Sequence, residues 1–447
     1  MSTSAIREVD GDEPPALTLP ALTEGAELVG EFKNSGYREP PQLVCLPNRQ
    51  LVKLPPLLFT VAKALHEHRD LAGTDVEQAL DRVADTVSAE AGARLTGEQV
   101  VYLVDRKLAP LGVTTYSDGT PPKLVKADPW LALRFKVAVF PESFTWFVGG
   151  LFGWLFRPVA MAVMIAAFLV SEGWLFSSHS IADALSLAIL NPVSILLVMG
   201  LGVASCAFHE IGHATACRYG GVRPGTMGCG LYLVWPAFYT DITESYRLGR
   251  GGRLRADLAG VYFNAIFVVA LTLVYLQTGF EPLLVAVLYV NIEMIQQLLP
   301  TLRFDGYYIM SDLVGVPDLF KYIGPILKRA LLRRPADARL NDLKRWPQIF
   351  VTLWVLTVIP MLVFQLGLIT TQIPGLVAKD WWMMRRLAVE ASAGAGPLEL
   401  LTSGLQIMLL VLPLAGLALI FYGIGRRLVR WAVGYIQGPA PRAVPDS

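Results

Sequence analysis

The chain has 447 residues, 53% of them hydrophobic and only 17% charged, with a formal net charge of +1. Soluble proteins carry about 25% charged residues, so the deficit points to a membrane protein, and the balanced charge gives no case for a nucleic-acid partner. Its four cysteines, Cys45, Cys206, Cys217 and Cys229, form no CxxC pair and no regular framework, which reads as free thiols in a reducing compartment or in lipid.

Residues 1–27 are rich in Pro, Glu, Ser and Thr, lack the apolar core of a signal peptide, and read as a disordered tail. Residues 28–116 read as one small domain. Gln42 to Leu54 alternates weakly and breaks at Pro47-Asn48, which predicts a β-hairpin. Leu58, Val61, Ala62 and Leu65 follow at helical spacing. A second helix starts after Thr74 and runs to about Ala91. A third starts at Thr96, where Thr96 and Gln99 fit a capping box, and carries Val100, Val101, Leu103, Val104 and Leu108. A hairpin with three helices is a winged-helix-like α+β pattern. Residues 117–154 read as a linker and an interfacial helix.

Residues 155–424 read as an α-helical polytopic membrane domain. Six stretches reach the roughly 20 apolar residues that a bilayer demands: 155–176, 192–216, 256–277, 282–302, 346–369 and 401–424. Segment 177–191 is short and amphipathic and is expected along the interface. With the N-terminal domain in the cytosol, the inside loops are 218–255, 303–345 and the tail 425–447. The first two are rich in Arg and Lys, and the tail opens with Arg426, Arg427 and Arg430. Segments 177–191 and 278–281 carry no basic residue, and 370–400 has only Lys379, Arg385 and Arg386. The positive-inside bias therefore predicts cytosolic N- and C-termini.

His209-Glu210-Ile211-Gly212-His213, at the inner end of the second span, is an H-E-x-x-H motif. Residues i and i+4 share a helix face, so both imidazoles reach one ion, and Glu210 beside them can take a proton from water held there. Such a pattern also arises by chance, but His and Glu inside a span are costly and usually functional. A catalytic zinc takes a third protein ligand. Cys206 and Cys217 lie near the same face, but one straight helix cannot wrap around an ion. Asp305 stands at the matching depth, at the end of the fourth span; it is either that ligand or a helix-end turn before Gly306.

These features resemble the site-2 protease family of intramembrane zinc metalloproteases, with H-E-x-x-H on one helix, an L-D-G motif on a later one and a G-P-x-x-N-like motif between. Leu298-Leu299-Pro300 before Phe304-Asp305-Gly306 matches the later motif, and Ala259-Gly260 with Asn264 the middle one. The resemblance covers residues 190–315. It implies one zinc per chain on His209, His213 and Asp305, with Glu210 as general base and Asn264 holding substrate or the developing oxyanion. Val261, Phe304 and Gln297 depart from the family's Pro, Leu and Asn. A narrower resemblance, carried by Gly30-Glu31 to Pro41, Phe238-Tyr239-Thr240-Asp241 and Arg303 to Tyr308, is to bacterial peptide zinc metalloproteases encoded with ribosomally made, modified peptides (RiPPs), the daptides among them. It implies that residues 28–116 are similar to a RiPP recognition element that binds a leader peptide by strand addition. It further implies a bacterial inner membrane, a precursor-peptide substrate and co-encoded biosynthetic or export proteins as partners.

Two features stay open. Thr226 to Thr240 is either a membrane-dipping hairpin whose edge presents substrate or an aromatic interfacial anchor. The basic loop 303–345 either binds acidic peptide or lipid or simply enforces topology. The rival functions are a peptide transporter or immunity factor that keeps a zinc-protease fold without proteolysis, and a zinc transporter. No internal repeat of the transporter kind is present, and a carrier has no need of Glu210.

Overall fold

The computed structural model describes residues 17–71, 75–92, 94–124, 133–178, 192–232, 235–332, 335, 337–392 and 396–436. The protein is mostly helical, with a small sheet near its N-terminus. That sheet has strands β1 (Glu27–Glu31), β2 (Gln42–Cys45) and β3 (Leu51–Leu54), antiparallel in the order β1-β2-β3. The turn between β2 and β3 is held by Asn48 Oδ1, which accepts from the Gln50 amide at 3.0 Å, and by Arg49 at φ 63°. Helices α1 (Pro56–Glu67), α2 (Val76–Ala91) and α3 (Gly97–Leu103) pack on the sheet. Their apolar faces (Val61, Leu65, Leu80, Val83, Val87, Val100) form one core with Val44 and Leu54. The Thr96/Gln99 capping box is present in both directions.

This unit takes in residues that the composition assigns to the tail. Within the expected tail, Leu22 bridges Thr114 and Thr23 Oγ1 donates to the Gly112 carbonyl at 2.7 Å. Residues 117–154 also hold more than a linker. Strand β4 (Leu133–Phe140) precedes α4 (Glu142–Phe152) and pairs with β5 (Met227–Tyr232), which pairs with β6 (Trp235–Thr240). The 226–240 segment is thus part of a three-stranded antiparallel sheet with β6 on its edge.

The remaining helices are α5 (Pro158–Ser178), α6 (Pro192–Tyr219), α7 (Arg250–Thr278), α8 (Pro282–Leu298), α9 (Asp305–Val314), α10 (Ile323–Leu332), α11 (Ala338–Asn341), α12 (Arg345–Ser392) and α13 (Pro397–Ile436). Among the described residues, α5, α6, α7 and the first part of α12 (Arg345–Gly375) are long and apolar enough to cross a membrane. They mark a membrane protein. The expected spans at 282–302 and 401–424 correspond to shorter apolar stretches, Pro282–Leu298 and Leu414–Gly423. Most of the expected external segment 370–400 is helix, as α12 continues to Ser392. The interfacial segment 177–191 lies almost wholly outside the described residues, only Ser177 and Ser178 falling at the end of α5.

The N-terminal unit docks on the face that carries the basic loops. The link between β1 and β2 is wedged there. The Gly36 amide donates to the Gly315 carbonyl at 2.8 Å, the Lys344 amide to the Gly36 carbonyl at 2.9 Å, and Lys344 Nζ to the Ser35 carbonyl at 3.0 Å. Gly315 sits at φ 70°, and a Cβ on Gly36 would overlap the Val314 carbonyl, so this close approach needs glycine on both sides. Arg247 forks onto Glu27 at 3.0 and 2.7 Å. Arg253, 0% exposed, donates to Asp312 Oδ1 at 2.8 Å, to the Lys33 and Leu248 carbonyls, and lies 4.4 Å from the Phe32 ring centroid. Arg247, Arg250, Arg253 and Lys344 of loops 218–255 and 303–345 are thus committed to docking.

Replacing Arg253 by Met strands the buried Asp312 carboxylate, a loss of about 3–5 kcal/mol. The expected outcome is a clear drop in Tm in detergent and earlier release of the N-terminal unit in limited proteolysis. Adding Asp312→Leu should recover part of the loss, because the stranded charge is then gone.

Candidate functional site

The site starts from the close crossing of α6 and α7. Gly212 faces the Ala259 carbonyl, where a Cβ would stand 2.5 Å from the oxygen, and a Cβ on Gly260 would overlap the His209 ring. Small residues here let two apolar helices approach within side-chain reach, the usual device where lipid supplies no hydrophobic drive. His209 and His213, one turn apart on α6, are both buried against α7. The third element is α9. Its first residue is Asp305, where the helix N-terminus favours a carboxylate. Gly306 lies so tightly on the Leu298 carbonyl at the end of α8 that any side chain would collide.

Three ligand atoms converge. His209 Nε2 and His213 Nε2 are 3.1 Å apart, and Asp305 Oδ2 lies 3.0 and 3.4 Å from them. A tetrahedral zinc with bonds of about 2.0–2.1 Å sets its ligand atoms roughly 3.3–3.4 Å apart, close to this spacing. His213 Nδ1 sits 2.7 Å from the Ala256 carbonyl, which can only accept, so Nδ1 carries the proton and Nε2 presents a lone pair. Asp305 Oδ2 is buried and makes no hydrogen bond of its own. Among the described residues His209, His213 and Asp305 form the cluster of His, Cys, Asp and Glu able to hold a metal. The donor set, two imidazoles and one carboxylate, fits a zinc ion with one coordination position left over.

Glu210 is 9% exposed and lines the same cleft as the three ligands. Its backbone carbonyl accepts from Thr240 Oγ1 at 3.1 Å, which ties α6 to the end of β6. Asn264 sits elsewhere: it is 0% exposed, outside the cleft lining, and behind His209. Its amide lies 3.2 Å from His209 Nδ1 and 3.2 Å from Ser205 Oγ. For His209 Nε2 to offer a lone pair, Nδ1 must be the protonated nitrogen. The Asn264 oxygen then accepts from it and the amide nitrogen faces Ser205, an exchange that a half-turn of the amide makes. Cys206 Sγ is 3.0 Å from Glu293 Oε1, Cys217 is buried in an apolar cluster with Ala216 and Phe263, and Glu244 pairs with Arg247; none joins the ligand cluster.

The cleft has a volume of about 320 Å³. Ala237, Phe238, Tyr239 and Thr240 of β6 form one wall, Tyr307 and Tyr308 of α9 another, and Lys53 of the N-terminal sheet contributes at its mouth. Lys53 is exposed, but the protein packed around it partly desolvates its amine and pushes it down to about 8. Lys321 adds to the fall, while Asp312 and Asp318 oppose it. Neither Lys53, Ser205 nor the Ala256 carbonyl stands out in the sequence as part of a site, whereas Gly260 carries a visible signal as part of the motif that ends at Asn264.

No family model matches this chain, and no solved structure matches it. It is similar to a Bacillus subtilis protein named "Putative peptide zinc metalloprotease protein YydH", with 26% identity over 122 residues. The match takes in 27% of this chain and 48% of that one, about half the length of the relative.

Two substitutions test how the histidines are held. Gly260→Ala should push the His209 ring off its position, and Asn264→Leu should remove the partner of its Nδ1. Loss of such supporting groups typically weakens metal binding about 10–100-fold. Chelator competition on the purified protein should show that loss for both variants, and His209→Ala with His213→Ala should hold no zinc. Full zinc occupancy in that double variant would remove the site.

Proposed function

We propose that this protein is a zinc-dependent endopeptidase that cleaves peptides at the membrane, of the site-2 protease type. The observation that carries the reading is the meeting of two imidazoles and a carboxylate at one point on the wall of a cleft that also holds Glu210 and the edge of β6. The partial likeness to a protein named as a peptide zinc metalloprotease supports it.

A zinc ion held by His209, His213 and Asp305 supplies Lewis acidity and brings the pKa of water towards neutrality. Glu210 takes the proton of the attacking water and returns it to the departing amine, so that no covalent intermediate with the protein forms. Asn264 and the Ala256 carbonyl fix the ring tautomers, which makes Asn264 a positioning residue for His209. The peptide lies beside β6, the outer strand of its sheet, in an extended conformation, as an endopeptidase requires.

The finer reading follows the same line. The N-terminal sheet and its three helices act as a winged-helix-like peptide-recognition module, and the substrate is a ribosomally made precursor whose leader is removed. The chain crosses a bacterial inner membrane six times, α8 and α13 completing the set, with both termini and the cleft mouth on the cytosolic side. The docking of the N-terminal unit beside loops 218–255 and 303–345 supports one common side for all three.

Mass spectrometry of candidate precursor peptides incubated with zinc-loaded protein is the direct test. Glu210→Gln should keep its zinc and lose about 10²–10⁴-fold in cleavage rate, whereas Asp305→Ala should lose both zinc and cleavage. Wild-type cleavage by Glu210→Gln would move a transporter or immunity factor with a retained zinc fold ahead of the protease. For topology, reporter fusions after residue 320 and at the C-terminus should read cytosolic and one after residue 396 external; the reverse pattern would put the cleft in the wrong compartment for a cytosolic precursor.

A further inference from the structure

A second cavity, of about 230 Å³, opens beside the metal cleft. It is walled by the β2–β3 turn (Asn48, Arg49 and Gln50) on one side and by Asp241 and Glu244 on the other. Lys53, Thr243 and Tyr246 line both cavities, which lie side by side between the hairpin turn of the N-terminal unit and the ligand cluster. Lys53 stands at the junction. It lies on β3, opposite Leu43 of β2, and its ammonium sits 5.6 Å from the Phe32 ring centroid and 5.1 Å from that of Tyr246.

Several charges along this groove are paired, while Arg223 stacks on the Trp146 ring and Asp241, among the described residues, accepts only from Thr243. Arg303 donates to Asp318 at 3.1 Å, and Lys321 reaches the same carboxylate at 3.4 Å. Arg253 holds Asp312, Arg247 holds Glu27 and Glu244, and Arg49 holds Glu142. Among the described residues no carboxylate pairs with Lys53. Two aromatic faces carry the amine but do not neutralise it, and they leave its donors free toward the groove.

We propose that Lys53 is a carboxylate-binding subsite of the cleft, which takes an anionic group of the bound peptide and so selects acidic substrates. The group is either an Asp or Glu side chain or a free C-terminal carboxylate; both present the same two oxygens. This deepens the peptidase reading and rests on it. The lowered proton affinity of the amine agrees: the protein packed around it disfavours its charge, and a carboxylate bound there would favour it. Charge-assisted hydrogen bonds of this kind are strong enough to change selection about tenfold or more. Because the subsite belongs to the N-terminal unit and the hydrolytic groups to the membrane domain, selection and cleavage would be divided between two parts of the chain.

The test uses full-length, zinc-loaded protein in detergent and a synthetic peptide library. Each peptide carries Glu, Gln or Lys at a scanned position and is made as the free acid and as the C-terminal amide. Cleavage is read by mass spectrometry, and binding to Glu210→Gln by fluorescence anisotropy. Wild type should prefer the carboxylate form at one position, or the free acid over the amide, about tenfold or more; which comparison responds identifies the source of the carboxylate. Lys53→Met should erase the preference, Lys53→Arg should keep it, and Lys53→Glu should turn it toward Lys-containing peptides. A role of Lys53 in packing alone cannot produce that reversal, and unchanged zinc content and Tm confirm folding. Equal binding of all forms by the Lys53-bearing protein, or a preference that survives Lys53→Met, overturns the subsite. If nothing is cleaved but the binding preference follows residue 53, the subsite stands and the peptidase reading falls.

Discussion

A straight helix can bring two imidazoles to one point but not a third ligand, and the architecture around the site follows from that limit. His209 and His213 rise from α6 one turn apart, so the remaining ligand must arrive on another element at the same depth. Asp305 does so as the first residue of α9. It can stand there because Gly306 lets α9 begin directly against the last carbonyls of α8. The other side of the histidines is closed by α7, whose Gly260 makes room for the His209 ring and whose Ala256 carbonyl and Asn264 amide hold the two Nδ1 atoms. Every contact that orients the imidazoles therefore comes from helix backbones in close approach or from fully buried amides.

The second constraint is the cost of placing charge near lipid. Loops 218–255 and 303–345 are basic, and four of their cations, Arg247, Arg250, Arg253 and Lys344, contact the N-terminal unit. Some of these cations hold carbonyls of residues 33–35, others hold single carboxylates such as Glu27 and Asp312. These four residues fasten the N-terminal unit in place. The result brings a strand of the soluble unit to the mouth of the metal cleft.

How far the sequence could be read depended on how local each feature is. The H-E-x-x-H pair is legible because a helix converts spacing into geometry without further information. The hairpin, the three N-terminal helices and the Thr96 cap were legible for the same reason. Asp305 needed a second motif, since its distance from the histidines depends on how three helices pack. Asn264 was found as a residue but not as a position: a motif tells that an amide is near the histidines, not whether it faces the cleft or the back of a ring. Strand β4 carries a visible alternation, Leu133, Phe135, Val137 and Val139, yet its partner lies about 90 residues on and its neighbourhood reads as linker. Lys53 gave no signal at all, because its place in the groove depends on the wedge formed by residues 33–38. The membrane spans were blurred by length: a 17-residue helix and a 40-residue helix both depart from the simple 20-residue template.

The wedge at residues 33–38 joins parts of the chain that are made far apart in time. Lys33 meets Arg253 across 220 positions, and Ser35 meets Lys344 across 309. At roughly 5–20 residues per second, a ribosome needs about 15–60 s to pass from Ser35 to Lys344. Through that interval the N-terminal unit can already be folded around its own core, but its berth does not yet exist. Arg253, made before Asp312, must wait in contact with water, and docking becomes one of the last steps of assembly. The groove gains its outer wall only then, so the order of synthesis itself delays its completion.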